Sequence, residues 1–179
     1  MKKIAFLDRD GTISKEYTDN EWKHITNPEL LPETIEGLKY IIDKGYEIII
    51  LTNQPLIADG IITKKQYEEY NNKLIKILKD NDITILKVYY CPHNKKDNCN
   101  CKKPKTGMID QALKEFEINL LESFYIGDSQ SDYELSKKFN IDFYGIKGKN
   151  NDEIFKYNSI LEIVNFISRW DNENSYRYR

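Results

Sequence analysis

Four places in the chain carry groups suited to phosphate or metal chemistry. Asp8-Arg9-Asp10-Gly11-Thr12 sets two carboxylates two residues apart on a turn that Gly11 allows to be tight. Thr52-Asn53-Gln54 offers a hydroxyl and neighbouring backbone amides that can bind phosphate oxygens. Gly127-Asp128-Ser129-Gln130-Ser131-Asp132 adds carboxylates able to complete an oxygen site for a hard cation such as Mg²⁺, although an acid here equally suits the N-cap of a helix, a role open to Asp132. Lys102 and Lys103 supply positive charge, with Pro104 restricting the backbone beyond them.

A second constellation is Cys91-Pro92-His93, five residues, then Cys99-Asn100-Cys101. Three thiolates and one imidazole complete a closed tetrahedral set, the arrangement of structural zinc, with no position left for a reacting water. The intervening Asn94-Lys95-Lys96-Asp97-Asn98 is too polar to be core, which argues against three unrelated buried thiols. His24 has no ligand partner nearby and reads as an ordinary loop residue.

These groups need a frame that gathers them. Runs rich in β-branched and aromatic residues predict buried strands at 3–7, 46–51, 83–90, 124–127 and 142–146. Helical periodicity predicts helices over 32–44, closed by Gly45, and from a Thr63/Gln66 capping box to about 80. Further helices are expected at 108–116, at 132–139 behind a Ser129 cap, and at 159–169, with 171–179 as a loosely ordered polar tail. Strand and helix alternate, so the expected fold is an α/β, Rossmann-like three-layer domain over 1–170 with a mostly parallel sheet. Such sheets bind ligands beyond the carboxyl ends of their strands, where the first and fourth strands deliver the acids, the second the hydroxyl, and the loop after the third the lysines.

Composition narrows the partners. The 179 residues are 40% hydrophobic, enough for one core, and 27 basic against 29 acidic side chains are interspersed, giving a formal charge of −2. No basic field invites nucleic acid or anionic lipid, and a small molecule is the expected partner. The apolar run at the N-terminus stops at Asp8 and no stretch is long enough to span a membrane, so a cytoplasmic location is expected. Three cysteines within eleven residues in a reducing compartment fit a metal better than disulfides.

In this order, Asp-Arg-Asp-Gly-Thr, Thr-Asn-Gln, Cys-Pro-His with Cys-Asn-Cys-Lys-Lys-Pro, and Gly-Asp resemble the haloacid dehalogenase superfamily. The similarity is to its zinc-containing branch of D-glycero-D-manno-heptose-1,7-bisphosphate 7-phosphatases and histidinol-phosphate phosphatases, and runs over about 3–147. It implies a phosphatase without a large cap domain and with an aspartyl-phosphate intermediate. Asp8 is the implied nucleophile and Asp10 the implied proton donor and later base, with Thr52 and Lys103 on the transferring phosphoryl group. Mg²⁺ would be held by Asp8, the backbone carbonyl of Asp10 and Asp128, and zinc by Cys91, His93, Cys99 and Cys101. Arg9, Glu16, Tyr17, Thr18, Asp19, Asn53, Gln54, Pro55, Asp59 and Lys102 are the implied substrate contacts.

The resemblance implies hydrolysis of the 7-phosphate of the heptose bisphosphate. The alternatives are histidinol phosphate or another amino-alcohol or polyol monophosphate, and a catalytically silent, zinc-stabilised scaffold. Three departures from the heptose pattern bear on this: Asp59 in place of an arginine, Lys102 in place of an arginine and Ser129 in place of a lysine. Two of them remove positive charge, and an inward Asp59 would repel a second phosphate.

Overall fold

The structure is a computed structural model that describes residues 1–148 and 153–175. Six parallel strands form one sheet in the order β3-β2-β1-β4-β5-β6. The strands are β1 (Ile4–Leu7), β2 (Glu47–Asn53), β3 (Ile85–Cys91), β4 (Phe124–Gly127), β5 (Asp142–Ile146) and β6 (Phe155–Tyr157). The first five fall within two residues of expectation at either end. β6, three residues long, was not expected.

The helices are α1 (Asp19–Trp22), α2 (Thr34–Asp43), α3 (Pro55–Ala58), α4 (Lys64–Asp80), α5 (Gly107–Glu115), α6 (Gln130–Lys138) and α7 (Ile160–Ser175). The capping boxes Thr63/Gln66 and Ser129/Asp132 both form, and Gly45, at φ +78°, follows the end of α2. In the second box Asp132 is the N3 partner and Ser129 the cap itself. The single turns α1 and α3 were not expected, although Thr18 and Glu21 have the capping-box spacing and Pro55 opens α3. α7 continues to Ser175, past the expected end at 169 and into the stretch expected to be a tail; residues 176–179 lie outside the described residues.

Alternation along the strands builds two cores. Ala5, Leu7, Ile48 and Ile50 face a cluster with Leu38 and Ile41 of α2, Leu74 and Leu78 of α4, and Ile160, Ile163 and Val164 of α7. Ile4, Phe6, Ile49 and Leu51 face the other way, onto Met108, Ile109 and Ala112 of α5 and Leu135 of α6. A smaller cluster of Trp22, Leu56, Ile62, Tyr67 and Tyr70 lies beyond the strand ends and joins α1, α3 and α4. Because β1 pairs with both β2 and β4, at Leu7↔Ile50 and Leu7↔Ile126, their carboxyl ends open on one edge.

Candidate active site

Asp8 follows the last residue of β1, where its N–H still donates to the Ile126 carbonyl of β4 at 3.0 Å. Its Oδ1 lies 2.7 Å from Lys103 Nζ. That ammonium is buried and has all three protons occupied, by Asp8, by the Leu51 carbonyl at 2.8 Å and by Asp132 Oδ1 at 2.7 Å. Asn53 holds the Lys103 backbone from both sides: Lys103 N–H donates to Asn53 Oδ1 at 2.9 Å and Asn53 Nδ2 to the Lys103 carbonyl at 3.2 Å. The end of β2 thereby fixes a lysine carried by the loop after β3.

Asp132, by sequence a helix-cap candidate, is a further acid of the site. Its Oδ2 receives the Ser129 N–H, and its Oδ1 receives Lys103 and the Tyr125 hydroxyl, the latter at 2.8 Å. It is fully buried, unlike an ordinary capping acid, and that burial was the information missing from the sequence.

Carboxylate oxygens of Asp8, Asp128 and Asp132 can be chosen within 4.8 Å of one another. Gly11, at φ +82°, brings its backbone against Asp128 so closely that a Cβ would sit 2.0 Å from Oδ2. Three acids facing one lysine leave the cluster short of two positive charges, and the titration behaviour follows. Burial pushes the Asp8 carboxyl well above its usual range against the pull of Lys103, and Asp132 and Asp128 add to the rise. Burial, then Asp132 and Glu16, push Asp128 up to about 7. A divalent cation supplies the missing charge, so these residues fit one.

Asp10 points elsewhere. Its Oδ2 accepts from Gln54 Nε2 at 2.7 Å, and Gln54 also donates to Thr52 Oγ1 at 2.9 Å. Arg9 grips both carboxylate oxygens of Asp10, at 3.0 Å and 2.8 Å.

A cleft of about 410 Å³ opens over these groups, lined by Asp8, Asp10, Glu16, Tyr17, Asp19, Thr52, Asn53, Gln54, Pro55, Lys102, Lys103 and Asp128, together with Trp22, Leu56, Ser129 and Ser131. Twelve of the residues singled out from the sequence therefore meet in one place. Three expected substrate contacts do not line it. Arg9 is fully buried behind Asp10. Thr18 spends its hydroxyl on the capping box of α1. Asp59 is exposed at the end of α3, where its Oδ1 accepts from Asn94 Nδ2 of the cysteine loop at 2.9 Å. The charge of Asp59 is thus directed at that loop, and the repulsion expected of an inward side chain is absent.

The cysteine loop forms one flank. Cys91 Sγ lies 3.0 Å from Cys101 Sγ, 3.5 Å from Cys99 Sγ and 3.6 Å from His93 Nδ1, and His93 Nδ1 lies 3.2 Å from Cys101 Sγ. Disulfide bonding needs about 2.05 Å, whereas tetrahedral zinc–sulfur bonds of about 2.3 Å set sulfurs roughly 3.8 Å apart. All four ligand atoms lie within 4.8 Å of one another, so the set fits a single tetrahedral cation. At Cys99 burial acts upward, but the Lys102 N–H and the other thiols prevail and bring it down to about 7. The loop is tied to the floor of the cleft by Gln54 N–H on the Cys91 carbonyl at 2.7 Å and Ala58 N–H on the Pro92 carbonyl at 3.2 Å. His24 is exposed and takes no part.

A parallel sheet with a carboxylate and a buried lysine at its central strand ends, and no cap domain among the described residues, is the architecture of the haloacid dehalogenase type. The solved structure of D,D-heptose 1,7-bisphosphate phosphatase from B. bronchiseptica, complexed with magnesium and phosphate, shares the fold with a TM-score of 0.78 over 93% of this chain and 98% of that one, at 18% identity. A family model described as Polynucleotide kinase 3 phosphatase matches residues 3–159. The D-glycero-alpha-D-manno-heptose-1,7-bisphosphate 7-phosphatase of Photorhabdus laumondii is 40% identical over 146 residues, covering 78% of this chain and 79% of its own. A probable D-glycero-D-manno-heptose-1,7-bisphosphate 7-phosphatase of Thermoplasma volcanium is 37% identical over 145 residues, covering 79% and 96%. The chain belongs to the haloacid dehalogenase-like phosphatases, in the branch shared by the D,D-heptose-1,7-bisphosphate phosphatases and HisB. Among the described residues no helix is long and apolar enough to cross a membrane.

Proposed function

We propose that this phosphatase removes the 7-phosphate of D-glycero-D-manno-heptose 1,7-bisphosphate by way of a phosphoryl group carried on Asp8. The observation that carries the reading is the Asp8 carboxylate, held by Lys103 at the end of β1 and open to the cleft. Asp8 attacks phosphorus in line with the departing alkoxide. Lys103 turns from a counter-charge of the carboxylate into a counter-charge of the phosphoryl oxygens, and Thr52 and the adjacent backbone N–H groups bind those oxygens. Asp10 gives its proton to the leaving oxygen as the P–O bond breaks. The Asp10 carboxylate then takes a proton from the water that attacks the phosphorylated Asp8, so the proton count closes over the cycle.

Asp8, the Asp10 carbonyl and Asp128 would hold Mg²⁺, which when bound offsets the repulsion between carboxylate and phosphate. Cys91, His93, Cys99 and Cys101 would hold a structural zinc that fixes the flank bearing Lys102 and Lys103. The outward turn of Asp59 supports a bisphosphate over a monophosphate substrate, because Lys102 then faces the cleft without an opposing carboxylate from α3.

The test is phosphate release with Mg²⁺ from heptose 1,7-bisphosphate, histidinol phosphate and simple polyol phosphates. The expected result is a preference for the bisphosphate, with heptose 1-phosphate as product. A higher kcat/KM for a monophosphate would overturn the substrate assignment.

A further inference from the structure

Arg9, expected on the substrate, is enclosed instead. Its side chain has 0% exposure while that of Asp10 has 16%. Its guanidinium carbon lies 5.7, 5.3 and 4.9 Å from the ring centroids of Trp22, Tyr67 and Tyr70, so α1 and α4 close an aromatic cage around a fork whose other side grips Asp10. The Arg9 side chain has no solvent exposure and does not line the cleft. Among the described residues its one ion-pair partner is Asp10.

The four donors on Asp10 all come from the protein: Arg9 Nε and Ser14 Oγ on Oδ1, at 3.0 and 3.4 Å, and Arg9 Nη2 and Gln54 Nε2 on Oδ2, at 2.8 and 2.7 Å. Asp10 also lines the cleft. We infer that Arg9 is a positioning residue for Asp10: the caged fork fixes the plane of the carboxyl at the cleft wall, where the leaving oxygen would reach it, and its charge balances the carboxylate as it forms. This inference rests on the proposed acid–base role of Asp10. Because the carboxyl gains negative charge as its proton moves to the alkoxide, the Arg9 contact strengthens toward the transition state and so acts on kcat. The cage also connects chemistry to recognition, since Trp22 forms part of the cleft wall and of the Arg9 enclosure.

The experiment compares Arg9→Met with Arg9→Lys and Asp10→Asn, using an alkyl phosphomonoester, heptose 1,7-bisphosphate, and an aryl one, p-nitrophenyl phosphate. Single-turnover release of the alcohol isolates the first step, and nitrophenolate departs without a donated proton. In Arg9→Met alkyl release should fall about 100-fold, in line with loss of a general acid. The nitrophenolate burst should stay within about threefold of wild type and KM should change little. Arg9→Lys, which keeps the charge but loses the fork, should recover part of the alkyl rate.

A merely structural Arg9 would slow both substrates in proportion, and a proportional loss overturns the inference. The Asp10→Asn variant separates the two ideas. Full alkyl release in Asp10→Asn overturns the acid–base reading itself, whereas loss there with no alkyl–aryl split in Arg9→Met overturns only the role of Arg9. Should Arg9→Met fail to fold, folded Arg9→Lys must show the same split at about tenfold, and its absence overturns the inference equally.

Discussion

Replacing Gly11 with alanine should damage the site far more than the fold. A Cβ there would lie 2.0 Å from Asp128 Oδ2 and 2.6 Å from its Cγ. Ordinary contact needs about 3.5 Å, so the carboxylate must retreat by roughly 1.5 Å. The backbone φ of +82° adds left-handed strain of about 1–2 kcal/mol for a residue with a side chain. For a chain of this size that lowers the unfolding midpoint by about 2–8 °C. Misplacing a catalytic group by about 1 Å costs on the order of 100-fold in rate, so turnover in Gly11→Ala should fall by about that factor or more. Half-maximal activation should require at least about ten times more Mg²⁺, because Asp128 no longer reaches the cation. Phosphate release across a Mg²⁺ titration, beside a thermal unfolding curve, measures both effects. Wild-type turnover and Mg²⁺ dependence in folded Gly11→Ala would refute the placement of Asp128 in the cation site.

Removing zinc with a chelator should expose the Gly107 N–H and the Ala58 N–H, which donate to the Asn100 and Pro92 carbonyls, to hydrogen exchange while the β1–β4 ladder stays protected; uniform deprotection would show that the metal supports the whole fold. Without divalent cations, stability should fall as pH rises. Asp128 is raised from 3.8 to about 7, so its neutral form contributes stability that is fully present below about 4 and is lost as pH passes through about 7, a swing of at most about 4 kcal/mol. Unfolding midpoints should be higher at pH 5 than at pH 8, with Mg²⁺ restoring the difference at pH 8; a flat profile contradicts the uncompensated acid cluster. Asp59→Ala should change KM for the bisphosphate less than threefold and Lys102→Ala should raise it about tenfold or more, in line with one desolvated charge contact; the reverse order would return Asp59 to the cleft.

Much of this site was legible because parallel strands with apolar sequences announce their own ends. Ile-Ala-Phe-Leu before Asp8, Ile-Ile-Ile-Leu before Thr52 and Phe-Tyr-Ile-Gly before Asp128 each deliver a polar residue to the same edge. The cysteine loop was legible because three thiols and an imidazole at metal-ligand spacing stand among lysines and asparagines. Direction was harder to read. Nothing in Asp8-Arg9-Asp10 says that the arginine folds inward, since the tyrosines and the tryptophan that enclose it lie on α1 and α4, remote in sequence. Asp132 was hidden by a sufficient local explanation, the capping box, which is real and coexists with its bond to Lys103. Asp59 was misplaced because motif alignment fixes a backbone position and leaves the side chain to whatever partner is nearest, here Asn94. β6 escaped notice because three residues with one exposed lysine between two aromatics make too short a pattern.

The most direct measurement is acid quenching of a single turnover with substrate labelled in the transferred phosphoryl group, followed by location of the label by mass spectrometry. Label on the peptide containing Asp8, absent from folded Asp8→Asn, is the predicted result. Label on another residue, or undiminished turnover by Asp8→Asn, would contradict Asp8 as the nucleophile of this phosphatase.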